Sequence, residues 1–154
     1  MHRFLPLALT LLMGLASCEE HSHKDEPTTT APQAEISASA GAGRIAKRMN
    51  APAGLVVGDH VEERLGDGKL GPSDLRSFTY MKFLPDAIRS WTPSAERLAE
   101  GPPYVRPRSM TSWVNKTAFS NLEFYRASPL LGARAGWIGV SRSTGEIYVF
   151  TFTS

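Results

Sequence analysis

Thirteen of the fourteen aromatic side chains of this sequence fall within residues 44–154, and the other is Phe4. Aromatic rings bury the largest apolar surfaces of any side chains, so their placement decides where a core can form. The 154-residue sequence therefore holds one foldable region of 111 residues, long enough to enclose a core without staples. That length excludes a doubly wound dinucleotide fold with two mononucleotide halves, a β/α barrel and a polytopic membrane protein. The single cysteine, Cys18, excludes an intrachain disulfide framework and any site built from several thiolates.

Before that region the chain reads as an address. Arg3 gives a basic start and residues 4–16 form an apolar run of 13 residues. A spanning helix needs about 20, so the run has the length of a signal core. It ends in Leu15-Ala16-Ser17-Cys18, which resembles the lipobox of bacterial lipoproteins. The resemblance covers residues 1–18. It implies cleavage between Ser17 and Cys18, with Cys18 acylated as the first residue of the mature chain. Two or three acyl chains would hold the protein to a bilayer, at about 0.8 kcal/mol per buried methylene. The next residue is Glu19 in place of the aspartate that retains enteric lipoproteins in the inner membrane. The expected location is therefore the outer membrane, facing the periplasm.

Residues 19–43 contain no aromatic residue and one branched aliphatic, Ile36, among threonine, serine, alanine, proline and glycine. Such a stretch buries too little apolar surface to offset its ordering entropy, so Cys18 and the residues to 43 read as a disordered tether. Its root-mean-square reach would be about 25–30 Å. The tether carries a net −4 and residues 44–154 a net +5. A modestly basic domain at an outer membrane suits lipid headgroups, cell-wall carboxylates or an acidic protein, or its arginines simply solvate a surface. Compartment excludes nucleic acid.

The first half of the domain shows helix-like spacing. Val57, Val61 and Leu65 recur at i, i+4, i+8 after Pro52, and Leu75, Phe78 and Met81 follow Pro72. A third segment from Pro85 places Leu84, Ile88 and Trp91 together, and Thr92-Pro93 opens a short helix to about Leu98. Residues 136–153 then read as a hairpin turning at Ser143-Thr144-Gly145, with an earlier strand or two within residues 112–127. The expected fold class is α+β, with N-terminal helices packed on one face of a small antiparallel sheet from the C-terminal half.

Candidate chemical sites are few. Residues 66–71 match G-x-G-x-x-G but lack the strand before and the βαβ unit around it, so a turn is the better reading. As a calcium loop the same stretch would put Leu65 at a ligand position, where it has no oxygen to give. His21 and His23 with Asp25 and Glu26 form an unorganised chelating tract, read as solvated spacer. His60 is the domain's one histidine and reads as a surface residue. No metal or cofactor is expected.

On the last strand Tyr148, Phe150 and Phe152 share a face, across from Trp137 in the hairpin. Either residues 113–125 cover these rings or a partner does, which makes them the candidate partner-binding face. The plan of lipobox, tether, helices and strands is similar in layout to the small accessory lipoprotein of the outer-membrane β-barrel assembly machinery. The expected function is a non-enzymatic, membrane-anchored periplasmic lipoprotein that binds another envelope protein. The alternatives are an immunity lipoprotein neutralising an antibacterial effector, and a lipoprotein that binds or acts on the cell wall.

Overall fold

A computed structural model describes residues 37–65, 74–132 and 135–153. These belong to the second of two units, Met1–Pro32 and Gln33–Ser154. The signal segment, Ser17, Cys18, the His21/His23 tract and the 66–71 glycine stretch lie outside the described residues.

Six strands form one sheet. They are β1 (Ser37–Ala38), β2 (Leu55–Leu65), β3 (Asp74–Phe83), β4 (Glu123–Arg126), β5 (Ala135–Ser141) and β6 (Glu146–Phe152), in the order β1-β2-β3-β6-β5-β4. Only the β1–β2 pair is parallel. The helices are α1 (Ala40–Arg48), α2 (Pro85–Arg89), α3 (Lys116–Phe119) and α4 (Ser128–Leu131). The class is α+β.

The helix-first order is corrected. Val57, Val61 and Leu65 lie on β2, and Leu75, Phe78 and Met81 on β3, so the first half supplies sheet as well as helix. A four-residue spacing is also two strand periods, and Val57, Val61 and Leu65 share one sheet face as readily as one helix face. On β3, Phe78 and Tyr80 enter one core while Met81 and Phe83 enter the other. A central strand buried on both sides loses the alternation that marks a half-buried one. Residues 92–98 form no helix; Arg97 instead bridges to Tyr125 at the sheet edge. The helix at Pro85 and the final hairpin are as expected, with Gly145 at φ +73° in the turn.

The ordered region also begins earlier than residue 44. Ser39 accepts from the Ala42 amide at 3.3 Å as the N-cap of α1, and its own amide donates to the Gly58 carbonyl at 2.8 Å. Small residues here mark close packing. A Cβ placed on Gly58 would stand 2.7 Å from the Ala42 Cβ, so only glycine lets the helix approach β2 this closely.

The sheet is covered on both faces. On one, Met81, Ile138, Val140, Ile147 and Val149 pack against Ala42 and Met49 of the α1 region, Ile88 and Leu131. On the other, the aromatic residues of β3, β5 and β6 meet Met110, Val114, Phe119 and Leu122 from the long connection before β4.

Candidate binding cleft

Strand register assembles the aromatic layer. Phe150 lies opposite Phe78 on one side and Trp137 on the other, and Tyr148 lies opposite Tyr80. Trp113 closes over them, with ring centroids 5.2 Å from Phe78, 5.5 Å from Tyr148 and 5.8 Å from Trp137. Its indole N–H donates to the Val105 carbonyl at 2.8 Å, and the Tyr104 hydroxyl donates to the Val114 carbonyl at 2.9 Å. These two bonds fasten the covering segment to itself, so the rings are sealed by the chain's own residues.

The four members of the expected partner face differ in exposure. Trp137, Tyr148 and Phe150 are buried, whereas Phe152 is 36% exposed. Burial follows from the ring packing, edge-to-face at Trp137 and Tyr148 and tilted at Phe150.

Where this layer ends, a cleft of about 530 Å³ opens. Trp137, Phe150 and Phe152 form its floor, and Leu98, Pro102, Pro103 and Val105 its roof. Leu65 and Arg76 close the β2–β3 side. The volume is that of a ligand or side-chain pocket, mostly apolar with few polar groups. Arg76 is half-buried and is the lining's one charged residue. It stands directly across from Phe152 in the β3–β6 register. The other polar member, Thr153, is tied to Leu75, whose amide donates to its hydroxyl at 2.9 Å.

Sequence reasoning missed the roof and Arg76. Gly101-Pro102-Pro103 breaks helices and strands alike, and nothing in its composition tells which sheet end it will cover. The available signal was a pair of apolar prolines, which have no amide to satisfy and so suit a dry wall.

Two polar clusters lie elsewhere. At the opposite end of β6, Glu146 accepts from the hydroxyls of Thr144 at 2.8 Å, Tyr148 at 3.0 Å and Tyr80 at 3.3 Å. Burial, then the Glu146 charge and hydrogen bond, pushes the Tyr80 phenol up to about 12; the same causes raise Tyr148 further. Both phenols keep their protons at neutral pH. The second cluster holds His60, which is corrected from a surface residue. As a strand residue it points beneath α1, with Nδ1 2.8 Å from Thr79 Oγ1 and Nε2 3.8 Å from Glu62. Thr79 is 1% exposed, so that hydroxyl meets no substrate.

Among the described residues no group of three or more His, Cys, Asp or Glu is placed to hold a metal, and no helix is long and apolar enough to cross a membrane. No family profile, curated protein or solved structure matches the chain.

Proposed function

We propose that this is a lipid-anchored, periplasm-facing envelope protein whose folded domain binds another envelope protein through the Phe152 cleft. The observation that carries the reading is Phe152 itself. It is one of two exposed large hydrophobic residues among those described, and it forms the lip of the apolar cleft. A single exposed apolar residue is ordinary, but one continuous with a recess offers a centre for a buried anchor. The lipobox-like Leu15-Ala16-Ser17-Cys18 supports the anchoring half of the proposal.

The test is affinity capture from native envelope extract, using the full chain and its Phe152→Asp variant as baits. The expected result is one stoichiometric protein held by the wild type and lost from the variant, with both baits giving the same far-ultraviolet circular dichroism. Capture that is indifferent to Phe152, or no protein above background, overturns the proposal.

A further inference from the structure

The geometry points to an acidic, apolar segment of the protein partner as the occupant of the cleft, with a large apolar side chain on Phe152 and a neighbouring carboxylate on Arg76. This rests on the cleft being the docking site and adds the chemistry of what docks.

Charge complementarity carries it. Arg76 and Phe152 are directly paired across β3 and β6, which sets their Cβ atoms about 4.5–5.5 Å apart on one sheet face. A group that buries itself against the Phe152 ring is therefore within reach of a guanidinium. That guanidinium is half-buried and has no ion-pair or hydrogen-bond partner among the described residues. A cation drawn partly out of water beside an apolar wall gains most from an anion that arrives with an apolar body. Among the described residues no carboxylate lines the cleft; Glu63, the residue paired with Arg76 across β2 and β3, accepts from the Arg108 amide and makes no ion pair with Arg76. Residues 44–154 carry a net +5. Arg106 follows the roof residue Val105 directly, and Arg108 comes two residues later.

A polypeptide segment fits the shape better than a free amphiphile. Phe152 keeps 36% of its surface exposed at the lip, so an occupant confined to the recess would leave the lip wet. A segment that inserts one side chain and lays its flanks over Phe152 covers both, and excludes water around the ion pair.

The test uses the full chain in phosphatidylcholine nanodiscs and two dye-labelled peptides read by fluorescence anisotropy. Both peptides carry a leucine–phenylalanine core, one flanked by glutamates and the other by lysines. The glutamate peptide is expected to bind about tenfold more tightly than the lysine peptide, the difference one charge-assisted contact makes. Arg76→Gln should erase that preference, and Arg76→Glu should invert it. Phe152→Asp should abolish binding of both. Inversion is a readout that a merely structural arginine would not produce.

Equal binding of the two peptides, a preference for lysine in the wild type, or a preference that survives Arg76→Gln overturns the inference. Binding of neither peptide also overturns it. If a Phe152-dependent partner is still captured from envelope extract in that case, the docking site stands and only its chemistry is wrong.

Discussion

Arg142 holds Glu123 through both carboxylate oxygens, each 3.0 Å from its Nε, while its Nη1 donates to the carbonyls of Ile88, Arg89 and Trp91 at 3.1, 3.1 and 2.7 Å. One side chain thus ties the β5–β6 turn to β4 and to the end of α2. Carbonyls at a helix end have no intrahelical donor, so the guanidinium satisfies groups that folding would otherwise leave unpaired.

Arg142→Ala should therefore cost more than a surface ion pair, about 2–3 kcal/mol, because it takes the side-chain donor from the Arg89 and Trp91 carbonyls and the ion-pair partner from a half-buried carboxylate together. Urea unfolding would measure it. Hydrogen bonding from Arg142 also holds the Glu123 carboxyl below its ordinary value, against the smaller upward push of burial. A lowered folded-state value means that the stabilisation is present above the ordinary carboxylate range and is lost as pH falls through the lowered value. Stability of the wild type should thus fall more steeply than that of Glu123→Gln as the solution is acidified.

The tyrosines set a limit at the other end of the pH scale. Tyr80 is raised from 10.0 to about 12 and Tyr148 is raised as well, so the folded state retains protons that the unfolded state gives up. That stabilisation is complete below about pH 10, the ordinary phenol value, and disappears as pH rises toward 12. Absorbance at the tyrosinate band should show these phenols ionising together with alkaline unfolding. Glu146→Gln should lower both values only in part, because burial is the larger cause.

The hairpin was legible because Tyr148, Phe150 and Phe152 alternate with Ile147, Val149 and Thr151 over a glycine turn, a pattern only a strand explains. The β2 residues were not, since their spacing of four satisfies both periods and β-branching at Val57 and Val61 is a weaker signal. The cleft was half legible. Its floor follows from strand parity, but its roof comes from residues 98–105, and no local rule specifies which sheet end a distant loop covers. The α1 region is not legible from apolar content, because small residues make its packing. Ala42 is fully buried through smallness alone.

That packing gives two glycine substitutions of opposite sign. Gly58→Ala should destabilise by about 1–3 kcal/mol, since the added methyl meets Ala42 with no room to relax. Gly43→Ala lies inside α1, where an added Cβ meets nothing within 4 Å. It should stabilise by about 0.5–1 kcal/mol through reduced unfolded-state entropy and better helix propensity. Thermal denaturation should move the two melting temperatures in opposite directions. A similar loss in both would mean that α1 does not lie on β2 as described.

The anchor is tested apart from the domain. If Cys18 is the lipid acceptor, Cys18→Ala should remove incorporated radiolabelled palmitate and leave the precursor uncleaved between Ser17 and residue 18. The apolar run of 13 residues is too short to span a bilayer, so an uncleaved precursor should be released from outer-membrane fractions. Because the substitution lies outside Gln33–Ser154, the melting temperature of the domain should not change. Wild-type levels of the variant in the outer membrane, with no lipid attached, would show that something other than acylation holds the protein there.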